Sequence, residues 1–64
     1  MKTYITIGYF ENGSEIVYAG EDEQVAMETN LYPEYHAVNV VVWEGGEVIQ
    51  TRYKGADSEW EYFK

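Results

Sequence analysis

The side chains that most often carry out chemistry are scarce in this sequence. His36 is the single histidine, cysteine does not occur, and the two serines, Ser14 and Ser58, lie in segments that are typical of turns. Turn formation explains serine at such positions. Nucleophilic catalysis needs a reactive group beside a base that activates it, and no spacing here marks such a pair. We therefore expect a protein that is not an enzyme and has no catalytic residues.

Metal and cofactor sites have equally little support. His36, Glu34 and scattered carboxylates make a poor zinc ligand set, and the spacing of a calcium-binding loop does not occur. The glycines show no phosphate-binding pattern. Glu59 and Glu61 are two residues apart, which is the spacing of the solvent face of a strand. We expect no metal and no cofactor.

Carboxylates are the one functional group present in quantity. Twelve Asp and Glu residues against four Lys and Arg give a net charge of −8 on 64 residues. A field of that sign repels nucleic acid and attracts basic surfaces. Solubility alone explains many acidic surfaces, but the sharper hypothesis is that the acids bind a basic protein partner. The candidate residues lie within a predicted helix or just after it: Glu21, Asp22, Glu23, Glu28 and Glu34.

The predicted fold is centred on a β-hairpin over residues 35–54. Residues 37–43 are rich in valine, which favours strands, and Gly45-Gly46 suits a tight two-residue turn before residues 48–54 return. Counting from that turn pairs Trp43 with Val48. The predicted core face comprises Val38, Val40, Val42, Ile49, Thr51 and Tyr53. The predicted outer face comprises Asn39, Val41, Trp43, Val48, Gln50 and Arg52.

A second hairpin and a helix precede this one. Residues 2–10 and 15–20 flank Asn12-Gly13, the preferred pair for a type I′ turn, which would pair Tyr9 with Ile16. The same register pairs Ile7 with Tyr18. The predicted inner face is Ile5, Ile7, Tyr9, Ile16 and Tyr18, and the outer residues are Tyr4, Thr6, Val17 and Ala19. Residues 21–32 predict a helix of about three turns that is capped by Asp22 and stopped by Pro33.

The whole chain, residues 1–64, is expected to form one α+β domain. Residues 59–64 alternate Trp60 and Tyr62 with glutamates, which indicates a possible fifth strand. The expected order is ββαββ, with one helix on one face of a mainly antiparallel sheet of four or five strands. No apolar run approaches the ~20 residues that span a bilayer, and no signal peptide is visible. We expect a cytoplasmic protein that does not bind membranes.

A second candidate surface lies on the predicted outer sheet face. Aromatic and hydrogen-bonding groups mix there as they do in interface cores: Tyr4, Val41, Trp43, Gln50 and Arg52. Such a face would bind a protein partner or a second copy of the chain as a homodimer. Direct nucleic-acid binding by stacking on Tyr4 and Trp43 is not expected, because only four basic residues could meet phosphates.

The layout is similar to that of small phage-encoded anti-defence proteins, including anti-CRISPR proteins. The similar features are Ala19-Gly20-Glu21, the short helix, residues 38–55 and the aromatic tail around Trp60. The resemblance implies an inhibitor that sits on a nuclease or effector complex, such as a CRISPR or restriction effector in the host cytoplasm, and blocks its nucleic-acid groove or an essential movement. The ββαββ order also resembles bacterial immunoglobulin-binding β-grasp domains. The alternative function is a structural homo-oligomer without an inhibitory role.

Overall fold

The computed structural model describes residues 1–28 and 35–63. In chain order the elements are β1 (Lys2–Phe10), β2 (Gly13–Gly20), α1 (Glu23–Glu28), β3 (Ala37–Glu44), β4 (Glu47–Gly55) and β5 (Glu61–Phe63). The strands form one antiparallel sheet in the order β2-β1-β3-β4-β5. The α+β class is confirmed in this coarse form. The described chain has a third strand after the helix, so ββαββ does not describe its order in full.

The core forms between α1, which lies over β1 and β2, and the buried residues of β1 and β3. Val42 pairs with Tyr4 and Val40 pairs with Thr6 across the two strands. Val40, Val42 and Thr6 are fully buried, and Ala26 of α1 packs against them. We call this face of the sheet the helix side. The opposite face, which carries the alternate residues of the same strands, is called the open face. At its centre lie Ile5, Ile7, Asn39 and Val41, and Trp43 lies towards the β3–β4 turn.

Two hydrogen bonds fix the start of α1. The Val25 amide donates to Oδ1 of Asp22 at 3.2 Å, so the predicted N-cap is confirmed. The Asp22 amide in turn donates to the hydroxyl of Tyr18 on β2 at 3.0 Å. The helix begins at Glu23, two residues later than predicted. Its predicted end, near residue 32, lies outside the described residues.

The β3–β4 hairpin has the predicted turn but a different register. Gly45 and Gly46 have φ values of +64° and +80°, as a type I′ turn requires, and Trp43 pairs with Val48 as predicted. One extra residue then shifts the ladder, so that Val42 pairs with Gln50 and Val40 with Arg52. A one-residue bulge moves every later side chain to the other face. The core-face prediction is therefore wrong for Thr51 and Tyr53, and the outer-face prediction is wrong for Gln50 and Arg52. Ile49, the unpaired residue of the bulge, is 38% exposed, so its predicted place in the core is wrong as well.

The first hairpin also departs from its predicted register. Phe10 pairs with Gly13, so the turn residues are Glu11 and Asn12, and a bulge follows farther along. The predicted pairs of Tyr9 with Ile16 and Ile7 with Tyr18 are wrong. In the structure Tyr9 pairs with Ser14, Ile7 with Ile16 and Thr6 with Tyr18.

The predicted inner face of this hairpin lies mostly on the uncovered side of the sheet. Ile5, Ile7, Tyr9 and Ile16 share the open face, whereas Tyr4, Thr6 and Tyr18 lie on the helix side. Strand β1 carries large apolar residues on both faces, so alternation alone does not say which face the helix covers. The helix covers the face of Thr6, because the Thr6 hydroxyl donates to the Ala26 carbonyl of α1 at 2.9 Å. Gly8 leaves room on the same face for the ring of Tyr35.

Candidate interaction surfaces

Arg52 is held on the helix side by strand β4 and is nearly buried. Its side chain is 11% exposed, and Nη1 lies 2.7 Å from Oε2 of Glu23. Nε donates to Oε1 of Gln50 at 2.7 Å. The guanidinium also lies 5.6 Å from the ring centroid of Tyr4 and 5.2 Å from that of Tyr62, which is within cation–π range. These contacts make Arg52 the link between helix and sheet.

The predicted acidic surface is formed by α1 and the residues before it. Glu21 and Asp22 are exposed, and Glu28 accepts a hydrogen bond from Nε2 of Gln24 at 3.1 Å. Glu23 remains 54% exposed although it pairs with Arg52. Asp22 and Glu23 thus also have roles in the fold, as the helix cap and the partner of Arg52. Glu34, the fifth predicted member, lies outside the described residues.

The predicted outer-face site does not exist as one surface. Tyr4, Gln50 and Arg52 lie on the helix side, and Tyr4 belongs to the buried core at 6% exposure. Val41 and Trp43 lie on the open face. The prediction that these five residues form a single patch is wrong, because the β4 bulge and the placement of the helix were not visible in the sequence.

The open face is a broad apolar surface. Of the eleven large hydrophobic residues that are exposed within residues 1–28 and 35–63, six lie on it by register: Tyr9, Ile16, Trp43, Val48, Tyr53 and Phe63. Ile5, Ile7 and Val41 lie between them as half-buried residues, together with the polar residues Asn39 and Thr51. The described helix packs on the opposite side, so no helix within residues 1–28 and 35–63 covers this face.

Within the described strands, charge is almost confined to the helix side. Within the five described strands, Glu61 is the only charged residue whose register places it on the open face. The other charged strand residues follow the register of the helix side: Lys2, Glu15, Glu44, Glu47, Arg52 and Lys54. The acids of α1, and Glu21 and Asp22 just before it, are on that side as well. Within the described strands and helix, the helix side therefore carries charges of both signs with acids in excess, and the open face carries Glu61 alone.

A shallow groove of about 310 Å³ lies at one end of the open face, beside the β3–β4 turn. Met1, Ile5 and Trp43 supply its apolar walls, and Glu44 and the two turn glycines form its end. The sequence identified Trp43 as a candidate but missed Met1 and Ile5. The odd-numbered alternation of Met1, Thr3 and Ile5 was the signal that could have found them.

Metal-binding clusters and membrane-spanning helices are absent from the described residues. No group of three or more His, Asp and Glu side chains there is close enough to hold a metal ion. No helix in those ranges has the length and apolar character to cross a membrane. Comparisons with protein families, with curated proteins and with solved structures found no match for this chain.

Proposed function

We propose that this chain is a non-catalytic protein-interaction module whose acid-rich helix side binds a basic, nucleic-acid-binding surface of another protein. The observation that supports it is the segregation of charge. A net charge of −8 is carried by a chain whose open face has one charged strand residue. A concentrated field on one side steers a basic partner to that side.

The acidic helix is also held in a fixed position. Asp22 caps its first turn, Thr6 binds its backbone and Arg52 binds Glu23. Acids on a fixed element lose less conformational entropy on binding than acids on a mobile segment. This supports Glu21 and Glu28 as contact residues, since neither is the capping residue nor the partner of Arg52.

Occupation of a nucleic-acid groove would exclude its natural ligand, so the module would act as an inhibitor. The similarity of layout to phage-encoded anti-defence proteins suggests the class of target. We propose a CRISPR or restriction effector complex in the host cytoplasm, blocked where it binds nucleic acid.

Two matched double variants test the acidic surface. The first variant, Glu21→Gln with Glu28→Gln, removes one charge just before α1 and one at its end. The control variant, Glu11→Gln with Glu61→Gln, removes one charge from the β1–β2 turn and one from β5. Both change the net charge from −8 to −6. A purified effector that is captured from host lysate on the immobilised wild-type chain serves as the binding partner.

Affinity for that effector is then measured by calorimetry from about 50 to about 500 mM NaCl. We expect affinity to fall at least tenfold over this range, and guide or target nucleic acid to compete. The α1 variant should weaken binding at least about fivefold more than the control variant. A response that is flat in salt, or equal losses in both variants, would refute binding through the acidic surface.

A further inference from the structure

The open face has the composition of a sheet face that is buried in the functional protein. Large apolar residues occupy both sides of β1 and β3, yet α1 covers only one of them. Sheets that face water on one side normally alternate apolar and polar residues. We infer that a second copy of this chain packs on the open face, open face against open face, as the two layers of a β-sandwich.

The size of the face fits this occupant. Four strands of eight or nine residues form most of it. At a rise of ~3.3 Å per residue and a strand spacing of ~4.8 Å, they span roughly 26 by 19 Å, on the order of 500 Å² in flat outline. Side-chain relief raises the accessible area above that outline. Specific interfaces bury at least about 600 Å² of accessible surface per partner. A stable dimer would therefore need the whole open face, and the area of that face is sufficient.

Charge also favours a second copy. Two chains of net charge −8 repel each other wherever their acidic sides meet. The open face is the described surface with the fewest carboxylates to oppose each other, because Glu61 on the edge strand β5 is its one charged residue within the described strands and Glu44 borders it only at the groove. A basic partner would find little there to bind electrostatically. A mainly apolar face with one charged strand residue at its edge is therefore best matched by a copy of itself.

The groove beside Trp43 supplies a concave feature that such packing can fill. Its walls of Met1, Ile5 and Trp43 are apolar and open towards the second copy. In a two-fold dimer each copy offers the same groove and the same exposed side chains to the other. We expect Trp43, which is 37% exposed in the single chain, to become buried in the dimer.

This dimer is independent of the proposed function. Face-to-face packing leaves both copies of α1 on the outside, so each copy keeps an accessible acidic side. Loss of partner binding in the α1 variant would leave the dimer intact, and loss of the dimer would leave one acidic side per chain. The two inferences can therefore fail separately.

Two single-tryptophan variants locate the contact. Trp60→Phe leaves Trp43 on the open face as the reporter, and Trp43→Phe leaves Trp60, which packs on the core of the helix side. Sedimentation and emission spectra are recorded from about 1 to about 500 µM, the range in which micromolar association is visible. We expect the mass to double with concentration and the emission of Trp43, but not of Trp60, to shift to shorter wavelength.

A matched pair of lysine substitutions tests the face itself. Val48 on the open face is 47% exposed and Val25 on α1 is 41% exposed. Val48→Lys would bury an unpaired charge from each copy and should weaken the dimer at least about tenfold. Val25→Lys changes the net charge equally and should leave the dimer in place.

A wild-type chain that stays monomeric over the whole range overturns the inference and leaves the open face to a different partner. A dimer that shifts the emission of Trp60 instead of Trp43 overturns it too, because the contact would then lie on the helix side. Equal weakening of the dimer by Val48→Lys and Val25→Lys would also overturn the inference.

Discussion

Arg52 and Glu23 join the sheet to the helix through an ion pair with a separation of 2.7 Å between Nη1 and Oε2. The two ends differ in environment, since the arginine side chain is 11% exposed and the glutamate 54%. Water screens an ion pair with one exposed member, so the pair alone contributes little. The buried arginine gains more from its whole set of contacts, which includes Gln50, Met27 and two tyrosine rings.

The first prediction concerns this set of contacts. Arg52→Met keeps much of the side-chain volume but removes the ion pair and the bond to Gln50, and we expect a loss of about 1–3 kcal/mol in the free energy of unfolding. Lys54→Met is the matched control on the same face and strand, because Lys54 donates an exposed bond to the Ser58 carbonyl. Its expected loss is below about 1 kcal/mol. Urea unfolding at one fixed protein concentration measures both, and equal losses would contradict the role given to Arg52.

The second prediction concerns the buried hydroxyl of Thr6. Thr6 is 0% exposed and donates to the Ala26 carbonyl at 2.9 Å. Thr6→Val replaces the hydroxyl with a methyl group of similar size and should cost about 1–2 kcal/mol. Thr51→Val makes the same change on the open face and should stay within about 0.5 kcal/mol of the wild type. If both variants unfold at the wild-type urea concentration, the bond does not stabilise the docking of α1.

The third prediction concerns the cap of the short helix. Asp22→Ala removes the acceptor of the Val25 amide and should cost about 1 kcal/mol. Asp22→Asn keeps an acceptor oxygen and should recover most of that loss. Glu21→Ala removes a neighbouring charge without touching the cap and serves as control. Urea unfolding measures the free energy of unfolding of all three variants. Equal losses in Asp22→Ala and Glu21→Ala would contradict the capping role of Asp22.

The fourth prediction concerns the β3–β4 turn. Gly46 has a φ of +80°, and a Cβ added there would meet nothing within 4 Å, so any cost is a backbone cost. Gly46→Ala should lose about 1–2 kcal/mol, the penalty of the left-handed region for an ordinary residue. Gly46→Asn should lose less, because asparagine tolerates that region. Thermal unfolding followed by circular dichroism ranks the two, and a neutral alanine variant would show that the turn relaxes to another type.

Turn chemistry and composition were sufficient to predict several elements of this fold. Gly45-Gly46 fixed the position of the second turn, valine runs marked β3, and Asp22 marked the start of the helix. These signals are local, because each depends on the backbone preference of one or two residues. The aromatic tail likewise predicted β5, where Tyr62 lies beside Arg52.

The register beyond each turn could not be predicted in the same way. Ile49 and Val17 lie where the two bulges shift the ladders, and both are β-branched residues that look like ordinary strand members. A bulge leaves no compositional mark when its residue is not glycine. The sequence therefore predicted Arg52 on the wrong face, and with it the composition of one candidate site.

The separation of an acid-rich helix side from a mainly apolar open face is tested most directly by the salt dependence of self-association. Sedimentation equilibrium of the wild-type chain from about 20 to about 500 mM NaCl measures it. We predict that the dimer becomes more stable as salt rises, since salt screens the repulsion between two chains of net charge −8. A dimer that dissociates as salt rises would show that charged groups form the contact and would contradict the account, as would a chain that is monomeric at every salt concentration.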